Sequence, residues 1–188
     1  MHHVYLFLAP GFEEIEALAT VDVLRRAQID VRTVSMNDDL FVTGSHDITV
    51  KADMKAAADF DDTMSDVTGA IYPGGMPGAE TLSTGENKLP VNVARYCVEN
   101  DILVGAICAA PIVLGRIGLL NNKNATCYPG FENELEGATY TGKKVTVDGN
   151  IVTGRGPGCS LDFALALVSK IKGEEEAINI RKTMQCDE

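Results

Sequence analysis

Cys108 stands where an apolar run, Val104-Gly-Ala-Ile-Cys108, gives way at once to a run of small and aliphatic residues, Ala109-Ala-Pro-Ile-Val-Leu114. A strand that turns sharply into a helix reads this way. The nucleophile occupies the turn, and small residues two positions to either side let it close. Ala106 and Ala110 fill those positions here. A thiol so placed faces the positive end of the following helix, which favours thiolate. Pro111 falls in the first turn, where its missing N–H does no harm. The expectation is a reactive cysteine placed by the fold rather than by a partner base.

Three carboxylates follow the first apolar run. Glu13 and Glu14 read as partners of a helix N-terminus. Glu16 differs, because it sits between Ile15 and Ala17 in the apolar sector, one turn into the helix. A carboxyl held in an apolar site is pushed toward its protonated form. It would then donate a hydrogen bond to the Cys108 sulfur and later carry a proton. A third element is Pro73-Gly74-Gly75-Met-Pro-Gly78, directly after a strand. Glycines there make tight turns, and they also let a backbone N–H approach a reacting oxygen. The N–H groups of Gly75 and Ala109 would form an oxyanion hole. Gly154-Arg-Gly-Pro-Gly158 lacks the GxxxxGK[ST] pattern, so it reads as a tight turn near the site, with Arg155 available to an anion.

Those groups need a frame. His3–Leu8 is a compact apolar run and predicts a buried strand. Residues 13–28 carry apolar positions at helical spacing, and 29–35 alternate as a second strand. Residues 40–52 read as a short antiparallel excursion around Thr43-Gly-Ser45, and 52–63 as an acidic loop. Val67–Tyr72 and 102–107 predict strands, with helices over 87–99 and 111–117. Residues 139–148 and 151–153 form a hairpin around Asp148-Gly-Asn150, and helices follow over 160–171 and 174–184. Apolar strands alternating with helices predict an α/β sandwich with a mostly parallel sheet, in one domain over 1–188. In such sheets ligands bind beyond the carboxyl ends of the strands. The loops holding Glu16, Gly74–Gly75 and Cys108 all lie at that edge.

Bulk properties exclude several classes. The formal charge of −11 makes nucleic acid and anionic membrane poor partners, since both reward Lys and Arg. Five cysteines without a CxxC pair predict a reduced, cytoplasmic protein rather than a disulfide framework. Cys97, Cys127 and Cys159 read as packing, and Cys186 as exposed near the terminus. Residues 4–9 are too short for a membrane span. Metal-ligand spacing is absent, and nothing points to flavin or nicotinamide; no cofactor is expected. A Cys–His peptidase dyad would have to draw on His2, His3 or His46, because Ala109 follows Cys108.

Glu16 in Gly11-Phe-Glu-Glu-Ile-Glu16, the Pro73-Gly-Gly75 loop, Ala106-Ile-Cys-Ala-Ala-Pro111 and Arg155-Gly-Pro-Gly158 occur together in this order. That ordered set, spread over nearly the whole chain, closely resembles the ThiJ/PfpI superfamily in its deglycase (DJ-one-like) branch. The resemblance implies a flavodoxin-like three-layer fold and a homodimer. It also implies a reactive Cys108, a protonated Glu16 and oxyanion donors at Gly75 and Ala109. Gly74, Tyr128 and Arg26 join these as substrate-binding positions. Family members are cofactor-independent glyoxalases, deglycases of early glyoxal adducts, redox-responsive chaperones or peptidases. Two positions depart from the family pattern. Tyr128, in Cys127-Tyr-Pro129, stands where many members carry histidine, and His46 where arginine is common, while Arg26 matches. Peptidase-type relatives place histidine directly after the cysteine, where this chain has Ala109. The resulting expectation is an enzyme of small reactive aldehydes or glycation adducts, with a redox-sensing chaperone as the alternative and a cysteine peptidase behind both.

Overall fold

The computed structural model describes residues 2–60 and 63–186. The chain runs β1 (His3–Leu8), α1 (Glu14–Arg26), β2 (Val31–Ser35), β3 (Phe41–Thr43), β4 (Thr49–Lys51), β5 (Met54–Lys55), α2 (Ala56–Asp59) and β6 (Val67–Tyr72). It continues through α3 (Gly78–Thr84), α4 (Leu89–Glu99), β7 (Leu103–Ile107), α5 (Ile112–Gly115), β8 (Asn124–Ala125), β9 (Thr139–Tyr140), β10 (Val145–Asp148) and β11 (Ile151–Gly154). The last two helices are α6 (Ser160–Lys172) and α7 (Glu174–Thr183).

Seven strands form one sheet in the order β10-β11-β7-β6-β1-β2-β5. Every neighbouring pair is parallel except β10 with β11. Strand geometry sends successive side chains to opposite faces. In β1, Val4, Leu6 and Leu8 therefore enter the layer shared with α1, α6 and α7. Tyr5 and Phe7 enter the opposite layer, with α3, α4 and α5. Both faces are covered, which is why the strands read as unbroken apolar runs. The result is the expected flavodoxin-like three-layer α/β sandwich. On the second face Phe7 stacks on Tyr72 with ring centroids 5.4 Å apart, and the buried Tyr72 hydroxyl donates to the Pro90 carbonyl at 2.8 Å. On the first face Gly105 leaves room for α6: a Cβ there would lie 3.0 Å from Leu167 and 3.1 Å from Phe163.

The direction of winding matters for function. From β1 the chain moves to β2 and β5 on one side, then crosses to β6, β7 and β11 on the other. The strand order reverses between β1 and β6, and a crevice opens at the carboxyl ends of strands flanking such a reversal. The segments after β1, β6 and β7 carry Glu16, Gly74–Gly75 and Cys108 respectively.

Both expected hairpins form, β3 with β4 and β10 with β11, the second turning at Gly149-Asn150 with Gly149 at φ 61°. The structure corrects several boundaries. The expected loop over 52–63 contains β5 and α2, with residues 61 and 62 outside the described residues. Helix α3, with Ala79 and Leu82 buried, follows the glycine loop directly. The expected long strand from 139 is split, because Thr139–Tyr140 leaves to pair with β8. Most consequential, the helix after the elbow is α5 alone, four residues long.

Candidate active site

Cys108 has φ 64°, left-handed backbone that a side chain bearing a Cβ rarely adopts. Such a residue costs about 1–3 kcal/mol and persists only where its surroundings fix it. Two hydrogen bonds do so. Its N–H donates to the Gly154 carbonyl at 2.9 Å, continuing the β7–β11 ladder one residue past the strands, and its carbonyl accepts from Tyr128 N–H at 2.8 Å. The side chain is left 9% exposed.

Glu16 is aimed at the same point by the start of α1. The Glu13 carboxylate caps that helix by accepting from Glu16 N–H at 2.7 Å. The Glu16 side chain is then fully buried, and its Oε2 accepts from Gly74 N–H at 2.8 Å. Its Oε1 is buried with no hydrogen-bond partner among the described residues. Gly74 is the spacer between the two reactive groups. A Cβ there would lie 2.6 Å from Cys108 Cβ and 2.8 Å from Glu16 Oε2. Gly75, at φ 85°, has no room for a side chain either, since a Cβ would collide with the backbone of Gly11 and Glu13.

Burial dominates the electrostatics. It raises Glu16 from 4.5 to about 7, although the Gly74 N–H and the Cys108 thiol favour the carboxylate; the nearby Glu13 adds to the rise. Burial also pushes the Cys108 thiol well above its ordinary value, and the charge and hydrogen bonding of Glu16 push the same way. The amides of Gly75 and Ala109 stabilise the sulfur anion but are outweighed. This corrects the expectation of a thiolate held by a helix. The helix is one turn long, it begins four residues beyond the sulfur, and the site is too dry for an uncompensated anion. The resting site therefore holds a thiol beside a carboxyl group that titrates near neutrality.

The structure thus brings Cys108, Glu16, Gly74, Gly75 and Ala109 together. Tyr128 joins through its backbone, while its ring is 47% exposed. Arg26 does not join. It lies ten residues beyond Glu16 on the same helix, about 15 Å at 1.5 Å per residue, and pairs with Asp22 at 2.7 Å. His3 pairs with Asp30 at 2.9 Å near the amino end of the sheet, so it is remote from the crevice. Cys97, Cys127 and Cys159 are buried, as packing predicts.

Sequence reading missed the role of Glu14. Its buried carboxylate accepts from His46 N–H at 2.7 Å and contacts His46 Nδ1 at 2.8 Å. Burial alone would raise it; the bonds to the His46 side chain and backbone and to Ile48 N–H hold it at about 2. The clue was Gly44, because a Cβ there would occupy the space of that carboxylate. Ser45 Oγ also contacts His46 Nδ1, at 3.1 Å, so Ser45 and Glu14 share one ring nitrogen and no proton relay runs through the imidazole. Ligand atoms of Glu13, Glu14 and His46 lie within 4.8 Å of one another. Those of Glu13 and Glu14 are already engaged by backbone N–H groups and by the imidazole.

A profile of the DJ-1/PfpI family matches residues 2–170. Protein DJ-1 homolog B of Arabidopsis thaliana is 38% identical over 93% of this chain, which spans only 39% of that relative's length. The glutathione-independent glyoxalase DJ-1 of Schizosaccharomyces pombe is 32% identical, with 98% of each chain covered. Among solved structures, Toxoplasma gondii DJ-1, oxidized, superposes with a TM-score of 0.90 at 32% identity over 98% of each chain.

The raised Glu16 pKa carries a stability consequence. The folded state holds this proton more tightly than the unfolded chain, so the Glu16 contribution is full below about pH 4.5 and is lost as pH rises through about 7. Glu16→Gln keeps an acceptor for Gly74 N–H and cannot ionise. Its stability relative to wild type should rise across that window by roughly 3 kcal/mol, at about 1.4 kcal/mol per pH unit. Urea unfolding at a series of pH values measures this. A difference independent of pH would show that Glu16 titrates normally.

Proposed function

The chain belongs to the DJ-1/PfpI family, and from that membership and the Glu16–Cys108 geometry we propose a cysteine-dependent enzyme that converts 2-oxoaldehydes to 2-hydroxy acids, as methylglyoxal to lactate. The observation that carries this reading is a fully buried carboxyl group, with one oxygen unpartnered, set beside a thiol on a strained turn. The glyoxalase relative from Schizosaccharomyces pombe, covered over nearly its full length, supports it.

The chemistry follows from the protonation states. Glu16 carboxylate removes the thiol proton as sulfur adds to the aldehyde carbon, so no free thiolate need accumulate. The aldehyde oxygen takes a proton and a hemithioacetal forms, with Gly75 and Ala109 N–H groups facing the oxygen as it gains charge. Glu16 then removes the hydrogen on that carbon and returns a proton to the adjacent carbon, through an enediol. The product is a thioester of the 2-hydroxy acid. Water attacks it, the C–S bond breaks, and the thiol regains its proton. The oxidation of one carbon balances the reduction of its neighbour, so the substrate gains one water in total. A carboxyl near pKa 7 gives and takes protons with little penalty at neutral pH. Early glyoxal adducts of amines or thiols enter at the first step: the C–N or C–S bond of the adduct breaks as Cys108 sulfur bonds to the carbon, and the amine or thiol leaves with the proton that Glu16 took from Cys108. Five free cysteines suit a reducing, cytoplasmic setting.

A redox role is the second reading. The Gly75 and Ala109 amides that stabilise a sulfur anion would also receive sulfinate oxygens, and the Toxoplasma relative's structure is described as oxidized. A buried, protonated thiol reacts slowly with peroxide, which places this role behind the first. The proposed assembly is a homodimer through α1 and α6, where Ile15, Leu18 and Leu161 are 59%, 40% and 41% exposed.

Wild-type protein should form lactate from methylglyoxal, with kcat/KM rising through about pH 7 as Glu16 ionises. Cys108→Ala should abolish turnover, and Glu16→Gln should lower it at least 100-fold, consistent with the usual worth of a general base. Equal rates in wild type and Cys108→Ala would sink the proposal. Intact mass after mild peroxide decides the redox reading: Cys108 should gain two oxygens if that role holds, and an unmodified thiol rules it out. Sedimentation velocity should give a dimer for wild type and a monomer for Ile15→Lys; a wild-type monomer would refute the assembly.

A further inference from the structure

Beside the elbow, on the β11 side, lies a cavity of about 430 Å³ lined by Tyr128, Pro129, Lys144, Arg155, Gly156 and Pro157 among others. No carboxylate among the described residues lines it. In a chain of net charge −11 that is unusual. Five of the seven arginines, Arg25, Arg26, Arg32, Arg116 and Arg181, hold carboxylates at 2.7–3.0 Å. Arg155 holds none among the described residues, its guanidinium reaching only the Gly142 carbonyl at 3.3 Å. Lys144 makes only a long ion pair, 3.9 Å, to the half-buried Asp162, whose carboxylate is held at 2.8 Å by Arg181.

The cavity is tied to the nucleophile through the backbone. Gly154 lies opposite Ile107 in the β7–β11 register, so Arg155 follows at the level of Cys108. Cys108 N–H is bonded to Gly154, and Cys108 C=O to Tyr128. Gly156 lets the Tyr128 ring close over the loop, since a Cβ there would stand 3.2 Å from that ring. The cavity beside the elbow thus carries an aromatic ring, one cation with no carboxylate partner among the described residues and a second with only a long ion pair.

We propose that this cavity is an anion subsite, and that the preferred substrates are 2-oxoaldehydes whose far end carries a carboxylate or phosphate. The inference rests on the aldehyde chemistry at Cys108 and names the substrate class for it. Arg155 holds the anion, Lys144 supplies further positive charge, and the Tyr128 ring covers the connecting carbons. Arg155 is a specificity residue and takes no part in proton transfer.

The test compares 4,5-dioxopentanoate, which would yield 2-hydroxyglutarate, with its neutral analogue 2-oxopentanal. Wild type should favour the anion at least tenfold in kcat/KM, and added salt should erode that preference. In Arg155→Gln the loss on 4,5-dioxopentanoate should exceed the loss on 2-oxopentanal at least tenfold, with a smaller gap in Lys144→Gln. A binding measurement separates the subsite from the chemistry. Glutarate and inorganic phosphate, titrated in separate arms into Cys108→Ala protein, should shift the Tyr128 and Gly156 amide resonances, and the Arg155→Gln change should abolish the shifts. The arm that binds more tightly identifies carboxylate or phosphate as the natural anion. Absence of binding in both arms, or equal kcat/KM for the two aldehydes, overturns the subsite. Anion binding without turnover of either aldehyde would overturn the catalytic reading alone.

Discussion

The contact between the Glu16 carboxyl and Cys108 is the constraint that the surrounding structure serves. Each group is unfavourable alone: one is a buried carboxyl with an unpartnered oxygen, the other a left-handed non-glycine residue. Their approach requires that nothing stand between them, which Gly74 secures. It requires that α1 start at a fixed point, which the Glu13 cap secures. It requires that the turn after β7 be held from outside, which Gly154 and Tyr128 do through the two bonds to the Cys108 backbone. Three strand ends meet here because the order reverses between β1 and β6. The topology thus supplies the crevice, and the glycines supply the distance.

The loop on the far side of Glu13 is organised by a different pair. Glu14 stands next to the cap residue and is held ionised by His46, at the turn between β3 and β4. Two adjacent carboxylates, one capping a helix and one anchoring a hairpin, leave Glu16 as the uncommitted carboxyl. Burial pushes both carboxyls toward the neutral form, and donors decide how far it is opposed. Glu14 receives two N–H groups, the Ser45 hydroxyl and an imidazole, whereas Glu16 receives one N–H and the Cys108 thiol. Ionisation follows the number of donors that favour the charged form.

Much of this was legible in the sequence, because the strands flanking the site are buried on both faces and carry unbroken apolar runs. The loops at the carboxyl edge followed from that, and with them the meeting of Glu16, Gly75 and Cys108. What was not legible depends on distant parts of the chain. Strands β8 and β9, two residues each, exist only because the fold brings them together. Gly115, the last residue of α5, sits against the backbone of Glu134 and Leu135, where even a Cβ would collide. The height of the thiol pKa reflects burial by remote elements, whereas an elbow motif implies only the local dipole. The pairing of Arg26 is local and was legible too, since Asp22 precedes it by four residues on one helix face, the spacing of a surface ion pair.

The protonation states rank the chemistries open to this site. Peptide cleavage needs a nucleophile activated before attack and an acid to protonate a departing amine, and Ala109 stands where a neighbouring histidine would serve. Peroxide reduction needs a thiolate in advance, which burial opposes. Addition of a thiol to an aldehyde needs neither, because there is no leaving group and the proton moves as the bond forms. Every later step of the proposed isomerisation would exchange a proton between neighbouring atoms, beside one carboxyl that titrates near neutrality. A dry site with one thiol and one adjustable proton therefore suits aldehydes better than amides or peroxides. The burial that keeps Cys108 from resting as a thiolate also allows a single carboxyl to serve as both base and acid.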